Sequence, residues 1–299
     1  MRELRPSRGE DREAVLRLLA QRDQADFGED DFTRALVLDH WRGRDFIDEA
    51  DAVVMEDGGE LVAWAAVFGP GTLALVHPER EGEGMGSELL RWTEERAKGR
   101  DFFRQRVAAS NLGARALLES AGYRLARGVH NLTISPGGTP PVAAPPAGMS
   151  IDPIELPRDS REIFEADGRG FAENPDYEPA PFQNFCDEHL SCPELHLASS
   201  AIARSGGLVA GFVLCRKFDR LGFIDLLCVD PTERRRGLGT ALLLHAITRL
   251  VKAGAPEVRL DVASDNPTAR RLYERAGMTP CQEIHVLEKP AAAPRTRPS

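Results

Sequence analysis

Apolar and polar positions along the chain follow two periods, and the same succession of periods occurs twice. In the first half, an extended run at residues 2–6 leads into a segment at about 11–24 whose apolar positions recur every three to four residues, as on one helix face. Strand-like runs follow at 52–55 and 60–68. In the second half, an extended run at 149–154 precedes a helical segment at about 158–168, with strand-like runs at 195–203 and 208–217. Residues 226–229 then form a short continuous apolar run that Asp230-Pro231 stops, and a glycine-rich bend at 234–239 opens a helix reaching about Lys252. Residues 258–262 read as a strand. Asn266-Pro267 suits the N-cap and first position of a further helix, which Gly277-Met278 closes.

The repetition extends to single residues. Val76-His77-Pro78 followed by Gly84-Met85-Gly86 matches Val229-Asp230-Pro231 followed by Gly237-Leu238-Gly239, with Pro231 standing 153 positions after Pro78. Asn111, Ala114, Leu118 and Gly122-Tyr123 match Asn266, Ala269, Tyr273 and Gly277-Met278 at an offset of 155, read from Asn266 against Asn111. One structural unit has therefore been used twice. The segment at 135–146 contains five prolines and cannot continue a helix or a central strand. The organisation expected is a first domain at 1–135, a proline-rich linker at 136–148, a second domain at 149–289 and a disordered tail at 290–299.

A strand that ends at a glycine-rich bend opening a helix makes an anion site, because the first helical turn has unpaired N–H groups and glycines allow a phosphate close to the backbone. Two common nucleotide loops are excluded by spacing. Thr240-Ala241 follows Gly239 where a P-loop needs lysine, and Leu242 stands where a dinucleotide fingerprint needs its third glycine. What remains, Val229, Pro231, Arg234, Gly237 and Gly239, resembles motif A of the GCN5-related N-acetyltransferases (GNAT). Asn266, Ala269, Tyr273 and Gly277 at their spacing resemble that family's motif B. Taken singly, Tyr273 reads as a helix tyrosine on a half-buried face and Asn266 as a cap; the two motifs together favour the functional reading.

The resemblance implies an α/β (α+β) protein of two tandem GNAT-like acyl-CoA N-acyltransferase domains, each a mixed, mainly antiparallel sheet flanked by helices. It implies acetyl-CoA as cosubstrate and no metal. Arg234, Arg235, Arg236, Gly237, Leu238, Gly239 and Thr240 would hold its pyrophosphate, with Asn266 and Ala269 also contacting coenzyme A. Backbone N–H groups around Leu227, Cys228 and Val229 would hold the thioester carbonyl, and Tyr273 would protonate the leaving thiolate. An alkylammonium has a pKa near ~10.4, so an attacking amine needs a base or a water path to one. Asp225, on the strand before the loop, is the candidate base, acting through a bridging water because its side chain is short; the plain alternative is a strand-edge aspartate. In the first copy, Glu81 stands at the position of Arg234, Leu118 at that of Tyr273 and Thr72 at that of Asp225. The second domain is therefore read as catalytic and the first as a degenerate, structural copy.

Composition narrows the remaining choices. With 299 residues, 42% apolar and 28% charged, the chain is long enough for two ordinary cores. No apolar run approaches membrane-spanning length and the start is no signal peptide, so a cytoplasmic protein without a membrane partner is expected. A net charge of -9 argues against a nucleic-acid partner and mildly favours cationic ligands. Five cysteines, two of them within strand-like runs, fit reduced thiols. Cys186, His189, Cys192 and His196 crowd together, but their alternation lacks the paired spacing of a zinc site and reads as scattered polar residues at a helix end. His245 reads as a packed helix residue. For the acceptor, the acidic segment holding Glu173, Asp176, Tyr177 and Glu178 suits a cationic amine, against the plain reading of an exposed loop. Small-molecule amines (amino-sugar thiols, polyamines, amino acids, drugs) and protein amino groups all remain open as acceptors, as does the oligomeric state. The alternative from a different class is a non-catalytic acyl-CoA sensor, which would have no need of Tyr273.

Overall fold

The computed structural model describes residues 2–29, 34, 37–38, 41, 46–68, 71–137, 143–173, 177 and 179–291. In chain order its main elements are β1 (Glu3–Pro6), α1 (Arg12–Phe27), β2 (Ala52–Asp57), β3 (Glu60–Phe68), β4 (Gly71–Val76), α2 (Met85–Arg96), β5 (Phe102–Ala108), α3 (Leu112–Ser120) and β6 (Arg124–Ile134). The second half continues with β7 (Met149–Asp152), α4 (Ser160–Phe171) and α5 (Phe182–Phe185), which runs into a π turn (Cys186–Leu190). Then come β8 (Ala201–Ser205), β9 (Leu208–Lys217), β10 (Leu221–Val229), α6 (Leu238–Lys252), β11 (Glu257–Ala263), α7 (Pro267–Arg275) and β12 (Thr279–Pro290).

The chain forms two compact units. One holds the residues up to Val129 together with those from Gln282 on, and the other holds His130–Cys281. Strand order in the first is β1-β2-β3-β4-β5-β12, and in the second β6-β11-β10-β9-β8-β7. Each sheet is mixed and mainly antiparallel, with one parallel step, β4 beside β5 and β10 beside β11. The divide falls within β6 and β12 rather than in the proline-rich segment. The last strand, expected in the second domain, pairs antiparallel with β5 from Ile284 opposite Ala108 to Pro290 opposite Phe102. Residues 138–142 of the proline-rich segment and 292–299 of the tail lie outside the described residues.

In the second unit, β9 shows why a continuous apolar run belongs to a strand covered on both faces. Val213 and Cys215 pack with Leu242, Leu243, Ala246, Ile247 and Leu250 of α6. Phe212 and Leu214 turn to the other face and pack with Ile163 and Ala166 of α4. The α6 residues recur at three- and four-residue steps and are fully buried, the leucines and Ile247 each contributing about 1.5–3 kcal/mol by burial. On the opposite face α4 reaches β10 so closely at Gly170 that a Cβ there would lie 2.1 Å from the Cys228 sulfur. That contact fixes the helix against the strand carrying the site.

One strand differs from the sequence reading. Of 195–203, only the end from Ala201 is strand; Leu195 makes an isolated bridge to Arg216, and a turn intervenes. The His196 carbonyl accepts the N–H groups of Ser199 and Ser200, and the His196 ring bonds the Ser199 hydroxyl at 2.8 Å. Short polar side chains thus supply a local alternative to the ladder.

Candidate active site

The site is built where two parallel strands part. β10 pairs with β11 only from Leu221 opposite Glu257 to Ile224 opposite Leu260. Its pairing with β9 shifts register between Ile224 and Leu226, which leaves Asp225 as a bulge at the point of divergence. Beyond it, Leu227, Cys228 and Val229 keep β9 as partner on one side and have no β11 partner on the other. Along that edge the strand ladder has ended, and the Val229 carbonyl accepts the Arg234 Nε at 3.3 Å.

The chain then turns sharply. Asp230 accepts the N–H of Thr232 at 3.1 Å and pairs with Arg169 of α4 at 2.8 Å. Arg235 is left-handed, φ 62, as is Gly237, φ 92, and α6 starts at Leu238. Left-handed residues within a turn swing successive N–H groups toward one side and form an anion-binding concavity. Arg235 holds a conformation that costs a non-glycine residue about 1–3 kcal/mol, the sort of strain found at ligand clamps. Gly239 serves packing, since a Cβ there would meet Leu272 of α7 at 3.3 Å and Val229 at 3.6 Å.

The predicted residues divide by what their side chains do. Arg235 and Thr240 are exposed. Arg236 pairs with Glu233. Arg234 reaches back to α4, donating to the Gly170 carbonyl at 2.6 Å and to Glu173 at 2.7 Å, so it braces the loop. Asn266 accepts the N–H of Ala269 at 3.0 Å and caps α7. Tyr273, 8% exposed, packs in the cluster of Leu238, Leu242, Leu260 and Val262. Burial pushes its phenol up to about 12, so it holds its proton at neutral pH.

Asp225 is more engaged than a lone base acting through water. Arg216 of β9 approaches its carboxylate at 3.2 Å through Nε and 3.3 Å through Nη2, and His189 of the π turn binds it at 2.8 Å through Nδ1. His189 is the contact that sequence reading does not single out, since there it reads only as one of several scattered polar residues at a helix end. No local motif links it to Asp225, because the π turn and the β9–β10 register bring the two together. Among the described residues no group of His, Cys, Asp and Glu is arranged to hold a metal ion. Of the acceptor residues, Glu173 is taken by Arg234. Tyr177 donates to Asp167 at 3.0 Å and stacks on Phe171. Asp176 and Glu178 lie outside the described residues.

The first copy has the same backbone plan. β4 meets β5 only at Thr72 opposite Gln105, and Gly84 is left-handed before α2. Its charges differ. Glu81 pairs with Arg22, which also holds Asp26 at 2.7 Å, and Glu83 is held by Arg80 at 2.7 Å. Leu118 is buried with Leu90, Tyr123 and Leu287. Thr72 is buried and donates to the Arg104 carbonyl at 2.7 Å.

Comparison with known proteins agrees with this architecture. A mycothiol acetyltransferase from Thermomonospora curvata is 30% identical over 207 residues, covering 69% of each chain. Another, from Brachybacterium faecium, is 28% identical over 227 residues, covering 73% of this chain and 67% of that one. The crystal structure of a GCN5-related N-acetyltransferase from Sphaerobacter thermophilus superposes with a TM-score of 0.84 at 27% identity, over 97% of this chain and 95% of that one. A tandem GNAT protein from the clavulanic acid pathway shares the fold, with a TM-score of 0.75 at 18% identity, over 98% of this chain and all of that one. No helix among the described residues is long and apolar enough to cross a membrane. The family model for GNAT acetyltransferases matches twice, at residues 13–123 and 160–278, and with the repeated parted-strand fold this makes the chain a tandem member of the GNAT acetyltransferase family.

Proposed function

We propose that the chain transfers an acetyl group from acetyl-CoA to a primary amine, and that the reaction takes place in the unit His130–Cys281. The observation that carries this is the contrast between two loops of like backbone. The second presents Arg235 and Arg236 around a left-handed turn, while the first presents Glu81 and Glu83, each already held by an arginine. A pyrophosphate is attracted to one and repelled by the other.

In this reading the N–H groups of 235–240, with Arg235 and Arg236, hold the pyrophosphate, and Asn266 keeps α7 in place beside them. The thioester supplies an activated acyl carbon. N–H groups along Leu227 to Val229 steady the negative charge that develops on its oxygen, the largest electrostatic contribution expected here. Tyr273 gives its proton to the departing sulfur, which a phenol with a pKa near 12 can do at any physiological pH. The first unit is a structural copy. The mycothiol acetyltransferase relatives favour an acceptor of the small amino-sugar thiol class.

The test measures coenzyme A release by chromatography, with acetyl-CoA and a panel of a cysteinyl amino sugar, spermidine, an amino-acid amide and a lysine peptide. Tyr273→Phe is expected to lower kcat by ~10²-fold with unchanged coenzyme A affinity in calorimetry. Equal turnover in the two proteins would remove Tyr273 from the mechanism. Coenzyme binding without amine-dependent release in the wild type would leave a non-catalytic acyl-CoA binder.

A further inference from the structure

Four groups converge where β10 leaves β11, and the acetyl-transfer roles proposed above use none of them. Asp225 sits at the bulge. His189 meets it at 2.8 Å through Nδ1, and both side chains are largely buried, 16% and 13% exposed. Arg216 donates through Nη2 to the same carboxylate oxygen at 3.3 Å, brings its Nε within 3.2 Å of the other as an ion pair, and also donates to the Glu188 carbonyl at 2.9 Å, tying the π turn to β9. The Phe185 ring lies 5.0 Å from the imidazole and fixes its plane. A π turn is an uncommon element that recurs at functional sites, where the extra residue re-aims a side chain.

This arrangement determines which atom can accept a proton. An ionised carboxylate is acceptor-only, so its bond to Nδ1 takes the N–H there and leaves the lone pair of the neutral ring on Nε2. Asp225 itself is engaged by two donors and poorly placed to receive a third proton from an amine. We infer that His189 is the proton acceptor of the transfer step, with Asp225 as the residue that positions it. The inference rests on the acetyl-transfer reading above. The amine enters neutral; its nitrogen bonds the acyl carbon, the carbon–sulfur bond breaks, and the electron pair leaves on sulfur, which takes the Tyr273 proton. The proton lost by nitrogen goes to His189 Nε2. Glu188, exposed and 3.9 Å from Nε2, passes it to water, and water restores the phenol.

The groups facing His189 set its titration. They are Asp225 from β10, Arg216 from β9, Asp167 from α4 and Glu188 from its own turn. Burial alone would lower its pKa, but the hydrogen bond and charge of Asp225, with Glu188, outweigh burial and the opposing Arg216. The net shift is upward from the ordinary value. The base form therefore gains population as pH rises through that raised value, and kcat/KM rises with it.

Two measurements test the assignment. In the coenzyme A release assay, with the most reactive amine of the panel, His189→Gln is expected to lower kcat by ~10²–10³-fold, leave KM for acetyl-CoA unchanged and remove the part of the pH rise that follows the His189 titration, leaving only the rise set by deprotonation of the amine. Added imidazole is expected to restore part of the activity of His189→Ala. Independently of any acceptor, carbon-13 NMR titration of the His189 ring is expected to give a pKa above ~6.5 in the wild type, falling in Asp225→Asn. A His189→Gln enzyme within ~2-fold of wild type and with the same pH profile overturns the proposal, as does a ring pKa indifferent to Asp225→Asn. Wild-type protein that releases no coenzyme A with any amine overturns the acetyl-transfer reading itself, and this step with it.

Discussion

Leu287 offers a sharp test of how the chain is divided. By position it belongs to the second half, yet its side chain is 1% exposed among Leu90, Leu118 and Tyr123 of the first. It stands on β12, opposite Gln105 of β5. Leu287→Ala removes a fully buried aliphatic side chain and leaves a cavity, which costs about 2–5 kcal/mol. With a urea slope of about 1–3 kcal/mol/M, the transition of the first unit should fall by on the order of 1–2 M. The chain provides its own reporter, since all three tryptophans, Trp41, Trp64 and Trp92, lie in that unit, and Trp64 is fully buried. Tryptophan fluorescence should therefore follow the loss directly, and peptide-resolved hydrogen exchange should show faster exchange in β4, β5, α2 and α3. Faster exchange confined to β9, β10 and β11, with the tryptophan transition unmoved, would refute the strand assignment and restore a division at the proline-rich segment.

Two further outcomes follow from buried contacts. Asp159, 1% exposed, accepts the Glu155 N–H at 2.8 Å and faces Arg158 and Arg204 at 3.0 and 3.1 Å. Burial alone would raise its pKa, but these partners outweigh it and hold the carboxyl below the usual range. Its contribution is then complete above the unfolded value near ~3.9 and lost as pH falls through the lower folded value. The urea midpoints of wild type and Asp159→Asn should differ most near neutrality and converge as pH falls through the lowered folded value, and a gap constant with pH would contradict the assignment. Gly170→Ala places a Cβ 2.1 Å from the Cys228 sulfur and should cost about 1–3 kcal/mol by forcing α4 off β10. Adding Cys228→Ala removes the clash and should recover part of that loss; a double variant no more stable than Gly170→Ala would exclude the contact as the cause.

How much of this could be read from the letters depends on the range of the interaction involved. The strand–bend–helix order at 226–252 was legible because apolar period, Asp230-Pro231 and Gly237 all act locally, and the observed β10, Gly237 turn and α6 follow them. The duplication was legible because it leaves matching residues at fixed offsets. The division of strands between units was not, since nothing in 279–290 names β5 as a partner, and pairing across about 180 residues is set by the packing of the whole sheet. The same holds for the site. Asp225 is visible as a carboxylate before the loop, but its partners come from a π turn 36 residues earlier and from the neighbouring strand. The motif resemblance assigns Arg234 to the phosphate, and nothing in the letters shows that in the fold its side chain reaches Gly170 and Glu173.

The two copies together separate what the loop glycines do from what its charges do. Gly86 and Gly239 meet equivalent leucines, Leu117 at 3.0 Å and Leu272 at 3.3 Å from a built Cβ. Both are therefore required by the packing of a helix against the loop, whether or not a phosphate binds. Gly84 and Gly237 are both left-handed, so the turn also persists in each. Glycine spacing alone cannot distinguish a working anion site from a structural remnant of the fold. The charged residues are not fixed by that packing and differ between the copies, although several pair locally, as Arg234 does with Glu173, Arg236 with Glu233 and Arg80 with Glu83. Residues 231–236 carry three arginines and one glutamate, a net +2, while 78–83 carry one arginine and three glutamates, a net -2. With backbone geometry held in common, a difference in affinity for a pyrophosphate would have to reside in these side chains, and the sign of the loop is the physical ground on which we propose that the chemistry belongs to the second unit.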